Sequence, residues 1–286
     1  RASWGRPPPR AGPPEPLSPR AMKIAVYQAK GVGGDKEAAL AILERQARRA
    51  ASRGVRLLVF PELFLSGYAI GEAVARLAEP ADGPSAARAA AAARREGIAL
   101  LYGFPEREGE RLYDAALVLD AQGRQRGCHR KRHLYGKEEK RRFTRGEAWT
   151  ILELEGWRIG VLICLEVEFP ETVRRLALAG ADLVLVPAAL PKAAGIVARS
   201  VVPVRALENG VFLAYADLCG EEGRAAYCGR SAIVGPAGEV LARAGASRPG
   251  LIAAELDPAR LAATRGSLSY LAELRADPDF PGGRPR

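Results

Sequence analysis

Short apolar segments alternate with longer amphipathic ones along most of the chain. The segments Lys23–Gln28, Leu57–Phe60 and Ile98–Gly103 are mostly apolar, which is typical of strands that are buried on both faces. Between them, Lys36–Arg53 and Ser85–Arg95 place apolar residues at the three- and four-residue spacing of a helix. The first hundred residues therefore predict strands that are separated by helices.

The rest of the chain repeats this alternation and adds hairpins. Further strands are predicted over Leu112–Asp120, Arg124–Arg130, Arg158–Ile163, Leu183–Val186, Val211–Tyr215, Ser231–Val234, Glu239–Arg243 and Leu251–Glu255, and helices from near Pro170 and over Val197–Glu208. Helices between buried strands predict sheets that are covered by helices. Because hairpins join antiparallel strands, the sheets are expected to be mixed, within an α/β fold.

The two ends of the chain differ from the middle. Residues 1–21 contain seven of the 21 prolines and four arginines, a composition that cannot form a helix or an inner strand. We predict a disordered leader over residues 1–21, one domain over residues 22–275, and a flexible tail over residues 276–286. The leader has no continuous apolar region, so it does not resemble a secretory signal.

Composition and charge exclude several classes of protein. Hydrophobic residues make up 48% of the chain and charged residues 27%, as in a globular protein. No apolar run approaches the roughly 18–20 residues that cross a bilayer, so no membrane partner is expected. The net charge of +10 is concentrated in residues 124–145. This stretch leaves a nucleic-acid binder as an alternative, although we favour solvated arginines and no nucleic-acid partner.

Three side chains stand where strands are predicted to end. Cys164 follows the strand Arg158–Ile163, and Glu62 follows Leu57–Phe60; ligands of α/β folds bind at such carboxyl ends. A helix that starts after Cys164 would favour its thiolate, while a buried core cysteine is the alternative interpretation. A thiol nucleophile needs a base, which is either a buried carboxylate such as Glu62 or one of the two histidines, His129 and His133. Lys131 follows Arg124–Arg130 and would stabilise an oxyanion.

The segments around these three residues resemble a known family. Pro61-Glu62-Leu63-Phe64, Arg130-Lys131-Arg132-His133 and Ile163-Cys164-Leu165-Glu166 are similar, in order and spacing, to the Glu, Lys and Cys blocks of the nitrilase superfamily of carbon–nitrogen hydrolases. The resemblance runs from about Met22 to beyond Leu256. It implies a four-layer α-β-β-α sandwich, a homodimer or larger homo-oligomer, and a Glu–Lys–Cys triad that works without a metal or organic cofactor.

The same resemblance assigns further residues to the site. A second glutamate follows the Lys block in the family; Glu139 matches that position best, and Glu138 is one residue away. Tyr68, Leu165, Glu138, Ala188 and Ala189 are the expected substrate contacts. Cys164-Leu165-Glu166 matches neither the Cys-Tyr-Asp of amidases nor the Cys-Trp-Glu of nitrilases.

The substrate expected from the resemblance is a small amide. The sequence looks closest to bacterial hydrolases of short aliphatic and ω-amino amides, the aminovaleramidase type, which would release a carboxylic acid and ammonia. A nitrilase, an N-carbamoyl amine hydrolase and a catalytically silent member remain as alternatives. The four cysteines are too few and too dispersed for a disulfide scaffold, which favours a reducing cytoplasm.

Overall fold

Two six-stranded mixed sheets face each other in the computed structural model, which describes residues 19–277. The first sheet has the strand order β14–β1–β2–β3–β4–β5, and the second has the order β13–β12–β9–β8–β7–β6. The strands are β1 (Met22–Gln28), β2 (Leu57–Val59), β3 (Ala99–Glu108), β4 (Arg111–Leu119), β5 (Gln125–Arg130), β6 (Thr150–Leu154), β7 (Trp157–Val161), β8 (Leu183–Ala188), β9 (Phe212–Asp217), β10 (Cys219–Glu222), β11 (Ala225–Cys228), β12 (Ala232–Val234), β13 (Val240–Arg243) and β14 (Gly250–Leu256). The short hairpin β10–β11 stands apart from both sheets.

The described residues form eight α-helices. They are α1 (Lys36–Ala51), α2 (Ala73–Leu77), α3 (Pro84–Glu96), α4 (Gly136–Arg142), α5 (Pro170–Leu178), α6 (Val202–Asn209), α7 (Pro258–Ser267) and α8 (Tyr270–Ala276). One core cluster joins the inner face of the first sheet to the second sheet and to α5 and α6, and another joins the outer face of the first sheet to α1 and α3. This is the expected α-β-β-α sandwich, so the predicted fold is confirmed.

Each sheet has a parallel centre. Strands β1, β2 and β3 run parallel, and so do β7, β8 and β9, while the other pairings in the two sheets are antiparallel. Strand β5 is antiparallel to β4, which is antiparallel to β3, so β5 ends at the same edge as β2. Residues that follow β2 and β5 are thereby brought to one edge of the first sheet.

Several elements differ from the sequence prediction. The predicted helix Val197–Glu208 consists of a π-helical turn, Val197–Val201, followed by α6. Helix α4 was not predicted, because its sequence Gly-Lys-Glu-Glu-Lys-Arg-Arg is charged throughout and has no apolar period. Strand β6, the β10–β11 hairpin and helices α2, α7 and α8 were also not predicted, and most of them are short.

The predicted leader and tail lie largely outside the described residues, which exclude 1–18 and 278–286. At the start of the described part, the Trp157 indole N–H donates a hydrogen bond of 3.0 Å to the carbonyl oxygen of Arg20. Helix α8 ends at Ala276, one residue into the predicted tail. Among residues 19–277, no helix is both long and apolar enough to cross a membrane.

Gly103 in β3 allows the loop after β2 to lie directly against the sheet. A Cβ atom at this position would lie 2.4 Å from the Leu63 nitrogen and 2.7 Å from the Glu62 Cα. The Gly103 N–H donates to the Pro61 carbonyl oxygen at 3.1 Å, and the Gly103 carbonyl accepts from the Leu65 N–H at 3.1 Å. Leu63 has a φ of +45°, a region that L residues rarely adopt. The close approach therefore fixes the backbone that carries Glu62.

We predict that Gly103→Ala lowers the free energy of unfolding by about 1–3 kcal/mol, because the added methyl group has no space. The substitution also displaces Glu62, so hydrolytic activity is expected to fall more than stability does. Chemical denaturation and steady-state kinetics measure the two effects. Gly266→Ala is the control, because a Cβ there meets nothing within 4 Å and alanine is favourable in a helix. If both variants changed the free energy of unfolding and the activity by the same amounts, the close approach at Gly103 would be contradicted.

Candidate active site

Cys164 occupies a strained turn at the end of a central strand. It begins a short 3₁₀ turn, Cys164–Glu168, just after β7, and its φ of +46° lies in the left-handed region. A non-glycine residue in this region costs about 1–3 kcal/mol and is often found at functional sites. The Cys164 side chain is buried, and the backbone N–H of Ala189 donates a hydrogen bond to its sulfur.

The resting state of Cys164 is a thiol. Burial raises its pKa well above the usual value, and the charge of Glu62 raises it further, while Lys131 and the Ala189 N–H lower it. A helix start was expected to favour the thiolate of Cys164, but desolvation outweighs the nearby positive groups and keeps its pKa raised. Glu62 and Lys131 thus shift the pKa of Cys164 in opposite directions.

Lys131 is fully buried among carboxyl groups. Its Nζ atom lies 2.5 Å from Glu62 Oε1, 2.7 Å from Glu139 Oε1 and 3.4 Å from Asp114 Oδ2. Burial alone would lower the pKa of Lys131, but the neighbouring carboxyl groups of Glu62, Asp114 and Glu139 raise it well above its usual value. Lys131 is therefore an ammonium, and it connects the ends of two strands with helix α4.

Glu139 is the second glutamate of the site. In addition to Lys131, its carboxylate accepts hydrogen bonds from the Tyr68 hydroxyl at 2.5 Å and the Tyr135 N–H at 2.7 Å. Burial raises the pKa of Glu139, and Lys131 opposes this effect. Glu138 points away from the cluster: its side chain is 65% exposed and is ion-paired to Arg141 and Arg142. Of the two adjacent glutamates, the structure therefore brings only Glu139 to Lys131.

The other expected substrate contacts lie on two sides, some next to Cys164 and Tyr68 next to Glu139. Ala188 ends β8, Ala189 follows it at the sulfur, and half-buried Leu165 is the next residue after Cys164. Both the side chain and the backbone of Tyr68 are hydrogen-bonded. Its hydroxyl donates to Glu139, and its backbone N–H donates to Glu222 Oε2 at 2.9 Å. Glu222 also accepts hydrogen bonds from Gly33, Ala69 and Tyr227. Sequence reasoning missed Glu222, which sits in the unpredicted β10–β11 hairpin.

Both histidines contact Glu166 instead of serving as a base for Cys164. His129 Nε2 lies 2.8 Å from Glu166 Oε2, and His129 Nδ1 lies 3.1 Å from the Thr150 hydroxyl, so both of its ring nitrogens are engaged. His133 Nδ1 lies 3.7 Å from Glu166 Oε1. The open alternative of a Cys–His pair is therefore not supported, and of the candidate bases only the carboxylate of Glu62 contacts Lys131.

Glu166 joins the Lys131 segment to the Cys164 segment. Its carboxylate accepts the N–H of Arg132, next to Lys131, at 2.9 Å and the N–H of Ile163, next to Cys164, at 2.7 Å. Burial would raise the pKa of Glu166, but His129, His133 and the Ile163 N–H hold it far below the usual value. Glu166 is thus a buried anion that sets the distance between the two functional segments.

Asp114 is a member of the cluster that sequence reasoning missed. It lies within β4, is 1% exposed, and its carbonyl oxygen accepts the Lys131 N–H at 2.8 Å. Oxygens of Glu62, Asp114 and Glu139 lie within 4.8 Å of one another, as in a cation site. The ammonium of Lys131 lies against all three carboxyl groups, so the chain itself provides the cation that this cluster accommodates.

Many of the charges in the basic stretch of residues 124–145 are paired. Arg130 bonds Glu106 and Glu108, Arg124 bonds Asp120, and Arg141 and Arg142 bond Glu72 and Glu138. Lys131 is buried and unavailable to an external partner. These contacts favour the interpretation of a solvated, ion-paired surface over a nucleic-acid interface.

A buried thiol, a carboxylate base and an ammonium on a four-layer sandwich define a cysteine-dependent hydrolase. A family model described as carbon–nitrogen hydrolase matches residues 23–266. The chain therefore belongs to the carbon–nitrogen hydrolase family, and the predicted membership of the nitrilase superfamily is confirmed.

Individual relatives agree with this assignment. The chain is 43% identical over 261 residues to a protein named hydrolase in pqqF 5′ region from Pseudomonas protegens, with 90% of each chain covered. It is 34% identical over 256 residues to an (R)-stereoselective amidase from Pseudomonas sp., which covers 89% of this chain and 92% of the relative. A variant of the amidase from Nesterenkonia sp. AN1, with the acetamide moiety of fluoroacetamide added at its active-site cysteine, superposes with a TM-score of 0.80 and 37% identity over 91% of this chain and 96% of that one.

We predict that Glu166→Gln lowers the free energy of unfolding at neutral pH by about 1–3 kcal/mol, because buried donors lose their charged acceptor. Since folding lowers the pKa of Glu166, its stabilisation is present above the usual value of 4.5 and is lost as the pH falls below that value. The difference from wild type should therefore shrink on acidification. Denaturation at several pH values measures this, with exposed Glu171→Gln as the control; a difference that does not depend on pH would contradict a charged Glu166.

Proposed function

We propose that this protein hydrolyses a small aliphatic amide to a carboxylic acid and ammonia through a thioester on Cys164. The observation that carries the proposal is the buried cluster in which the Lys131 ammonium lies 2.5 Å from Glu62 Oε1 beside the thiol of Cys164. The amidase relatives support it, and in the Nesterenkonia protein an acetamide moiety is attached to the corresponding kind of residue, the active-site cysteine.

In the first half of the reaction, Glu62 removes the proton from the Cys164 thiol as the sulfur attacks the amide carbon. The carbonyl oxygen becomes an oxyanion, which accepts hydrogen bonds from Lys131 and from the N–H of Leu165. That N–H stands in the first turn of a short helix, where no partner within the helix is available. Glu62 then gives the proton to the amide nitrogen, the carbon–nitrogen bond breaks, and ammonia leaves a thioester behind.

In the second half, Glu62 takes a proton from a water molecule, and the resulting hydroxide attacks the thioester carbon. The tetrahedral intermediate collapses, the carbon–sulfur bond breaks, and the proton on Glu62 returns to the sulfur as the acid leaves. Glu139 keeps Lys131 oriented throughout and, with Tyr68, forms one wall of the site. The substrate reacts at a cysteine that is only 8% exposed, which favours small, unbranched amides.

Cys164→Ala and Glu62→Gln are each expected to lower amide hydrolysis by at least about three orders of magnitude while the protein stays folded, because one removes the nucleophile and the other the base. Ammonia release from a panel of aliphatic amides, nitriles and N-carbamoyl amines measures activity and substrate class. Cys128→Ala is the control, since this half-buried thiol contacts Glu106 on another part of the first sheet. Retained hydrolysis in either site variant would refute the mechanism, and hydrolysis of nitriles alone would refute the amide assignment.

We also propose that the enzyme is a homodimer or a larger homo-oligomer in a reducing cytoplasm. Phe169, Ile196 and Val204 are exposed apolar side chains on segments around α5 and α6, where an unpartnered apolar surface is unfavourable in water. All four cysteines are free thiols, as is usual for cytosolic proteins.

Light scattering of the purified protein is expected to give at least twice the monomer mass of 30.5 kDa. Val204→Glu should lower that mass, because a buried interface does not tolerate an unpaired charge. Lys192→Glu, which changes a charge on a neighbouring loop, is the control. A monomer at micromolar concentration would contradict the oligomer.

A further inference from the structure

Three carboxyl oxygens in the cluster around Lys131 have no hydrogen-bond donor. They are Glu62 Oε2 and both side-chain oxygens of Asp114. By contrast, Glu62 Oε1 and both oxygens of Glu139 accept hydrogen bonds from Lys131, Tyr68 and Tyr135. Buried polar atoms in native proteins are rarely left without a partner. Within this cluster the absence of a donor is therefore confined to Glu62 and Asp114, which have carboxyl oxygens within 4.8 Å of each other.

The charges in the cluster do not balance if every carboxyl group is ionised. Three carboxylates would face a single ammonium, all of them almost completely buried. Like charges at such short distances disfavour each other, and buried carboxyl pairs commonly share a proton. One proton placed between Glu62 and Asp114 would give both unpartnered groups a hydrogen bond and would remove one of the negative charges.

We infer that Asp114 carries this proton in the resting enzyme and donates it to the carboxylate of Glu62, which makes Asp114 a positioning residue for the base. We place the proton on Asp114 because Lys131 Nζ lies 2.5 Å from Glu62 Oε1, whereas the Asp114 contact to Lys131 is longer, at 3.4 Å. The pKa of Asp114 is raised well above its usual value by burial first and by the charge of Glu62 second, with Glu139 adding to the effect and Lys131 opposing it.

A neutral Asp114 also leaves Lys131 free to act on the substrate. The ammonium has three N–H donors, and Glu62 and Glu139 accept two of them. An ionised Asp114 would compete with the substrate oxyanion for the third. Protonation of Asp114 thus holds Glu62 in place and keeps one Lys131 donor available. The kinetic part of this inference rests on the proposed function.

Asp114→Asn tests the protonation state, because its amide is a neutral donor of nearly the same shape. We expect the variant to keep kcat within about threefold and to leave the acid limb of the kcat/KM profile unshifted, while Asp114→Ala, which lacks the donor, loses about 10- to 100-fold. If Asp114 is ionised instead, Asp114→Asn removes a negative charge beside Glu62. The acid limb would then move to lower pH by about one unit or more, which overturns the inference.

The pH dependence of Tm reports the protonation state of Asp114 without requiring enzymatic activity. An aspartic acid that stays protonated when folded destabilises the protein progressively as the pH rises above its unfolded value of 3.8, because the unfolded chain releases that proton and the folded chain does not. Asp114→Asn should lack this loss, so its Tm should exceed that of wild type by a margin that grows between about pH 4 and pH 7. Asp120→Asn is the matched control, because hydrogen bonds from Arg124 and Gln122 outweigh burial and lower the pKa of Asp120. The Tm of Asp120→Asn should therefore fall below that of wild type as the pH rises. A pH-independent margin for Asp114→Asn overturns the inference.

Aspartate-selective carbon-13 labelling of the wild-type protein covers the case in which Asp114→Asn does not fold. Asp217 is another buried aspartate whose pKa burial raises, and Asp217→Asn identifies its signal. A second protonated aspartate signal at neutral pH, unchanged in Asp217→Asn, supports the inference, and the absence of such a signal overturns it. Failure of amide hydrolysis in wild type would refute the proposed function and would leave these two readouts decisive for Asp114.

Discussion

The buried ammonium of Lys131 is the constraint on which the rest of the site depends. A lone ammonium in the core of a protein is strongly unfavourable. Here its charge is compensated by the carboxylates of Glu62 after β2 and Glu139 in α4, with the carboxyl group of Asp114 in β4 beside it. The cluster can form only when those elements and β5 are all in place. Such buried ion groups contribute little net stability compared with apolar packing, so the arrangement is better explained by catalysis than by folding.

The protonation states in this site fit a reaction in which a proton moves between groups while the total charge of the buried site stays constant. Cys164 is a thiol at rest, and transfer of its proton to Glu62 leaves the total charge of the buried site unchanged. A resting thiolate would add a negative charge beside Glu62. A carboxylate base is therefore suited to a cysteine whose pKa burial has raised, whereas a cysteine activated in advance would need a cationic partner such as a histidinium.

Position along the chain made Glu62, Lys131 and Cys164 candidates, because each follows a predicted strand, and the resemblance of their segments to the nitrilase superfamily selected them. Glu62 and Lys131 follow strands of the first sheet, and Cys164 follows β7 of the second. Asp114 was missed because it lies inside a strand, although a charged residue within the apolar sequence Leu-Tyr-Asp-Ala-Ala-Leu-Val-Leu of β4 was a usable signal. The role of Gly103 depends on backbone contacts between elements about 40 residues apart, which local pattern does not encode. Glu166 stood in the Cys segment, but three of its four contacts come from a separate segment, residues 129–133.

Burial alone does not decide which carboxyl group in this site is charged. Glu166 and Asp114 are both at most 1% exposed, yet folding lowers the pKa of Glu166 and raises that of Asp114. The difference lies in their donors: Glu166 accepts two backbone N–H groups and the His129 ring, while the side chain of Asp114 accepts none from the described residues. The fold thus uses a donor-rich environment to make a permanent anion that holds the backbone, and a donor-poor one to keep a neutral acid beside the base.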